Sequence, residues 1–155
     1  MNKLFWGVSM QTVLDKYFAF TELLRFERQA LSQAVELFAD DAEFTLPEAE
    51  PVKGKQAIAQ LLDKFYQSYK SVQRVWKTRT TDNGIEAVWA AAGKHHNSEV
   101  FAVHGRHIAK LDQAGKIANL KVELLTGDRL ATPITWAFLP KPLALVVNNI
   151  TPYAK

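Results

Sequence analysis

Apolar and polar residues alternate along this chain with two different periods. From Val13 the apolar residues Tyr17, Phe20, Leu24, Leu31, Val35 and Phe38 recur at spacings of three, four or seven. Lys16, Glu22, Arg25, Arg28 and Glu36 fill the opposite side. That is the period of an amphipathic helix. A single helix of about 30 residues would be long for a globular protein, so the pattern predicts two helices with a break near residues 26–30. Ser9 is placed to cap the first, because its hydroxyl can accept from the open N–H groups of the first turn. Asp40-Asp41 is expected to end the second. Glu43-Phe44-Thr45-Leu46-Pro47 predicts a short strand stopped by proline. Residues 48–54, with Pro51 and Gly54, predict a loop. Residues 55–69 return to helical spacing, with Ile58, Leu61, Leu62, Phe65, Tyr66 and Tyr69 as the apolar stripe.

From Val72 the period becomes two. Residues 72–82 and 85–95 flank Asn83-Gly84, a pair that favours a type I′ hairpin turn because both central positions need positive φ. A long strand over 99–112 follows the turn His96-Asn97-Ser98. Gln113-Ala114-Gly115-Lys116 then turns the chain into a last strand over 117–125. There Ala118, Leu120, Val122 and Leu124 alternate with Asn119, Lys121 and Glu123, which gives one dry and one wet face. Helices followed by a meander predict an α+β fold, with N-terminal helices on the concave face of a curved antiparallel sheet. Residues 1–128 form this single domain. Residues 129–155, with Pro133, Pro140, Pro142 and Pro152, read as a tail. Its run Leu143-Ala144-Leu145-Val146-Val147 is suited to a fifth strand or an apolar strap on the same domain or on a dimer partner.

Composition narrows the classes. At 155 residues the chain has room for one core. Its 48% apolar and 23% charged residues exclude a disordered or fibrous chain. The absence of cysteine excludes disulfides, thiolate catalysis and cysteine-ligated metal sites. A net charge of +3 is too mild to point to a nucleic-acid partner. Lys70, Arg74, Lys77 and Arg79 beside Tyr69 and Trp76 read as a solvated strand face next to core aromatics. Residues 4–10 are apolar but lack a small-residue cleavage site, so they read as a frayed terminus rather than an export signal. No uncharged stretch reaches 18 residues, so no membrane helix is expected. A cytoplasmic location and no membrane partner are the expectations.

One residue stands out chemically. On the strand over 99–112, Phe101, Val103, Gly105, His107, Ala109 and Leu111 share a face whose other members are apolar or small. A histidine there points inward, and its ordinary pKa near 6.5 suits proton transfer. The plainer alternative is a buried histidine satisfied by a neighbour such as Tyr17. Tyr17 lies on the apolar stripe of the first helix, where its hydroxyl could donate to a substrate oxygen. His104 and Arg106 fall on the other face. His95 and His96 are adjacent on a strand and point oppositely, a poor chelate, so no metal site is expected. Asp40, Asp41, Glu43, Glu48 and Glu50 form an acidic run in which Glu48 or Glu50 could reach a cavity mouth. Trp89 reads as sheet packing, with its face unassigned.

Three segments resemble a known superfamily. Leu37-Phe38-Ala39-Asp40-Asp41-Ala42-Glu43-Phe44, Gly54-Lys55-Gln56-Ala57-Ile58 and Leu111-Asp112-Gln113-Ala114-Gly115-Lys116-Ile117 are similar, in that order, to segments of nuclear-transport-factor-2-like proteins. These include ketosteroid isomerases and SnoaL-like polyketide cyclases. The resemblance covers roughly residues 10–127 and implies a cone-shaped cystatin-like fold around an apolar pocket, often with a homodimer through the convex sheet face. Ketosteroid isomerases place a base just before the proline, which here falls on Leu46, and leucine cannot take a proton. Their oxyanion aspartate falls on His107, and their tyrosine on Tyr17. The resemblance therefore implies a cofactor-free pocket for a small hydrophobic molecule, with His107 and Tyr17 catalytic. Leu46, Phe65, Val88, Ala90, Val103, Leu120, Val122 and Leu124 are expected to line it. The activity would be that of an isomerase, dehydratase, cyclase or hydrolase. A non-catalytic binder, or an association module whose pocket the tail plugs, is the alternative.

Overall fold

A computed structural model describes residues 11–125. Two short helices, α1 (Val13–Leu23) and α2 (Gln29–Val35), lead into β1 (Phe38–Thr45). After the two-residue β2 (Val52–Lys53) comes helix α3 (Lys55–Gln67). Four long strands complete the order: β3 (Tyr69–Thr81), β4 (Gly84–His95), β5 (Val100–Leu111) and β6 (Ile117–Leu124). The strands form one curved six-stranded sheet in the order β2-β1-β6-β5-β4-β3. The architecture is the α+β class expected from the sequence, a curved sheet with helices packed on it.

Helix α1 is capped by Thr12 rather than by Ser9, which lies outside the described residues. Thr12 and Asp15 form a reciprocal capping box. The Asp15 N–H donates to Thr12 Oγ1 at 3.1 Å, and the Thr12 N–H donates to Asp15 Oδ2 at 2.8 Å. The same carboxylate accepts from the Trp76 indole N–H at 3.0 Å and from the Thr78 hydroxyl at 3.1 Å, which ties the helix to β3. The buried side of α1 is Leu14, Tyr17, Phe18 and Thr21, a face turned by one residue from the stripe read through Val13 and Phe20. The break between the helices falls within residues 24–28, as the pattern predicts.

Asp40-Asp41 does not end a helix. It lies inside β1, between buried Phe38 and buried Ala42. The pairing of β1 with β6 shifts register between Phe38 and Glu43. This irregularity lets two consecutive aspartates face solvent while Phe38, Ala42 and Phe44 stay in the core. The sheet is also not wholly antiparallel, because β1 runs parallel to β6. The chain crosses over through α3 after β1, so the meander brings β6 back beside β1 in the same direction.

Between β3 and β4, Thr81 pairs with Gly84 across Asp82-Asn83. Only Gly84 has positive φ, at 153°, so the turn is not type I′. Glycine is needed there for a second reason, since a Cβ would stand 2.0 Å from the Ala109 carbonyl oxygen. Tyr69 joins β3 instead of extending α3. The core is one cluster in which Leu14, Phe18, Phe38, Ile58, Ile117 and Leu120 are fully enclosed between helices and sheet.

Candidate functional site

Inside the cone, α1, α3 and the concave faces of β3–β6 leave a cavity of about 60 Å³. Its wall is mainly aromatic and aliphatic, with polar atoms from Tyr17, Tyr66, Tyr69, Arg74, Trp89 and His107. No aspartate or glutamate lines it among the described residues.

His107 stands on β5 between Ala87 of β4 and Val122 of β6, and only 5% of it is exposed. Strand alternation puts it on the face of Phe101, Val103, Gly105 and Ala109. The Trp89 indole N–H donates to its Nδ1 at 2.8 Å. An indole nitrogen can only donate, so Nδ1 is an acceptor and the ring proton of the neutral form sits on Nε2. Phe18 meets the imidazole edge-on at 4.9 Å between ring centroids, and Tyr17 is at 5.6 Å. Burial, and then the positive charge of Arg74, hold the His107 pKa well below its ordinary value. At neutral pH the ring is therefore an uncharged donor through Nε2–H, with its basic lone pair occupied.

Trp89 reaches His107 because of the glycine opposite it. Trp89 pairs with Gly105, where a Cβ would lie 2.7 Å from Trp89 Cζ2. The close approach of an indole to a bare backbone requires glycine at that position.

Tyr17 is buried, and its hydroxyl is held well above the ordinary tyrosine pKa. Burial is the main cause and Tyr66 adds to it, against the lowering effect of Arg74. It is thus a protonated phenol. Arg74 comes from β3, where Val72, Arg74, Trp76 and Thr78 face inward while Gln73, Val75 and Lys77 face out. Its Nη2–H donates to the Tyr66 hydroxyl at 2.6 Å. Its guanidinium lies over Phe18, Tyr66 and Trp89 at 5.1–5.6 Å. Nε lies 3.9 Å from Glu22 Oε1.

The structure brings together most of the residues expected at the site. His107, Tyr17, Leu46, Phe65, Val103, Val122 and Leu124 all line the cavity. Val88 and Ala90 do not. They face out from the sheet, while Ala87, Trp89 and Ala91 face in, so the β4 assignment was one residue out of phase. Leu120 is fully buried but belongs to the packed core rather than the cavity wall. Glu48 and Glu50 are exposed and do not replace the missing acid beside Leu46. Trp89 faces inward, which removes it from any convex interface. Arg74, read as part of a solvated face, is an interior cation. His95 packs on Phe101 at 5.3 Å, while His96 Nε2 lies 3.0 Å from the Gln67 carbonyl, so the pair diverges. Among the described residues no three His, Asp or Glu side chains gather as metal ligands, and no helix is long and apolar enough to cross a membrane. The tail at 129–155, and with it the plug, lies outside the described residues.

Residues 18–120 match the SnoaL-like domain family, and the chain belongs to that family. No curated protein matches the sequence. Many solved structures share the fold, among them the following three. A nuclear-transport-factor-2-like protein of unknown function from Exiguobacterium sp. 255-15 is 27% identical. Its match covers 73% of this chain and 98% of its own, with a TM-score of 0.67. The epoxide hydrolase/cyclase-like enzyme SalBIII, with a role in pyran ring formation in the polyether salinomycin, is 15% identical. It covers 75% of this chain and 90% of its own at a TM-score of 0.62. The RV0760c protein of Mycobacterium tuberculosis, solved with estradiol-17β-hemisuccinate, is 16% identical. It covers 73% of this chain and 93% of its own at a TM-score of 0.58.

Proposed function

We propose that this chain binds a small, mainly apolar molecule through one of its oxygen atoms, with His107 and Tyr17 as neutral hydrogen-bond donors. The observation that carries this is the Trp89–His107 bond. It occupies Nδ1 and leaves Nε2–H as the ring's donor in an apolar cavity. A carbonyl, hydroxyl or epoxide oxygen is the complementary acceptor. Structural relatives named for a steroid complex and for cyclase-like activity support small-molecule occupancy of such a cone. A cavity of about 60 Å³ favours a ligand smaller than a steroid.

Isomerase, dehydratase, cyclase or hydrolase chemistry is the second reading, favoured by the placing of His107 and Tyr17 on one cavity. It asks more of the site. No carboxylate lines the wall, and His107 becomes a base only if the indole releases Nδ1. Its remaining route is as an acid through Nε2–H. Titrating the protein with butanone and 2-butanol while measuring binding heat tests the first reading. His107→Gln is expected to weaken binding by about tenfold, the scale of one hydrogen bond to an otherwise unsatisfied group. Unchanged binding would overturn it. Turnover falling about 10²–10⁴-fold in the same variant would instead establish the second.

A homodimer through the convex sheet face belongs to the same proposal. Val75, Val88 and Val100 are 72%, 45% and 64% exposed on β3–β5. Val75 and Val88 flank one another through the pairs Val75–Ala90 and Lys77–Val88.

A further inference from the structure

We infer that the natural ligand of this cavity carries a carboxylate, received by Arg74, so that the substrate class is a small monocarboxylic acid with a short apolar chain. This rests on the cavity being a ligand site. Arg74 has 6% of its side chain exposed and sits in the cavity wall. A guanidinium there remains charged, because arginine does not give up its proton in proteins. Such a charge is costly in an apolar surround unless it is paired and fully hydrogen-bonded.

The pairing in place is incomplete. Tyr66 accepts from Nη2, and Glu22 stands 3.9 Å from Nε, beyond hydrogen-bond length. Nε and Nη1 are buried and have no hydrogen-bond partner. Counting one N–H on Nε and two on Nη1, at least three of the five guanidinium donors are unused. Stacking on Phe18, Tyr66 and Trp89 steadies the planar group and satisfies none of those donors. Glu22 lies outside the cavity wall and meets only the Nε end. The Nη1 end is the part without a partner, and a carboxylate is the group whose geometry suits a guanidinium edge.

Cavity size limits the rest of the molecule. A cavity of about 60 Å³ favours a short chain, and butyrate serves as the probe. The apolar wall of Phe44, Leu62, Phe101, Val103 and Val122 suits that chain. His107 Nε2–H and the Tyr17 hydroxyl remain for the second carboxylate oxygen or for an oxygen on the chain.

The test compares each acid with its primary amide, which has the same shape and no charge. Calorimetry on the full chain at pH 7 should show butyrate binding at least about tenfold tighter than butyramide, the margin expected of a charge-assisted contact. The Trp89 indole N–H resonance should shift on titration, which places the ligand in this cavity. Arg74→Met combined with Glu22→Gln removes the cation without stranding its partner. It should cost about tenfold or more in butyrate affinity and less than about threefold for butyramide, with the far-ultraviolet spectrum unchanged. Butyramide bound as tightly as butyrate, with the Trp89 resonance shifted, would overturn the carboxylate assignment and leave the oxygen-binding pocket standing. No binding of either, together with none of butanone or 2-butanol, would overturn both. Butyrate binding without movement of the Trp89 signal would also sink the assignment. The comparison on the unmodified chain decides the matter even if the double variant does not fold.

Discussion

His107 combines a buried position with a depressed pKa, and the two have a consequence for stability. In the unfolded chain its pKa returns to about 6.5, whereas burial and Arg74 hold it well below that in the fold. The unfolded state therefore binds the extra proton first as pH falls. Stability is fully present above about pH 6.5 and is lost on acidification below it. The slope for one such group approaches about 1.4 kcal/mol per pH unit. Urea unfolding between pH 7 and pH 5 should show this decline, and His107→Gln should flatten it. A slope unchanged by that substitution would assign the effect to His95, whose pKa burial also lowers. A second prediction concerns the indole. Trp89→Phe strands Nδ1 in an apolar site, at a cost of about 1–3 kcal/mol. Nitrogen-15 spectra of the imidazole should then lose the single Nε2–H tautomer that the wild type holds.

Single elements are pinned by contacts that reach beyond their own sequence. Asp15 caps α1 and also accepts from Trp76 and Thr78 of β3. Burial pushes its carboxyl up, but the hydrogen bonds from Thr12, Trp76 and Thr78 outweigh it, so the net pKa is lowered. This stabilisation is present above about pH 4, the ordinary carboxylate value, and fades as the pH drops further. Asp15→Ala should cost about 1–3 kcal/mol in urea unfolding, with β3 protection against hydrogen exchange falling alongside that of α1. Loss confined to α1 would mean that the cap alone matters. On β5, Gly105→Ala would set a methyl 2.5 Å from the Glu123 carbonyl oxygen and 2.7 Å from Trp89. Such overpacking costs about 1–3 kcal/mol. It should also shift the Trp89 indole resonance, and an unmoved signal would show that the indole does not depend on that glycine.

Across the whole molecule, two sheet faces have opposite fates although both carry valines. The concave face is closed by helices around the cavity, while the convex face leaves Val75 and Val88 to solvent. If that face joins two copies, Val75→Glu should convert a dimer to a monomer in sedimentation at micromolar concentration, with the fold intact. A wild-type chain already monomeric there would end the dimer proposal.

Apart from the two-residue β2, which falls in the span read as a loop, the order of helices and strands, the inward face of β5 and the α+β class were legible from the sequence pattern. One strand whose polar residues alternate with apolar ones declares its own faces, as with Phe101, Val103 and His107. β3 and β4 could not be read that way. In β3 the inward set includes Arg74 and the outward set includes Val75, the reverse of the usual preference. In β4 apolar residues stand on both sides. Pairing decided them, because residues opposite one another share a face, and the β4–β5 register sets Ala87 beside His107 and Trp89 beside Gly105. The parallel return of β6 to β1 depends likewise on contacts far apart in the chain. The sequence by itself determined the elements, their order and the inward histidine, since these follow from local spacing. Only the tertiary structure decided that the histidine's basic nitrogen is occupied, that an arginine is buried beside it, and that the space between them is small. Each of those depends on which strands meet and in what register, and no local pattern records that.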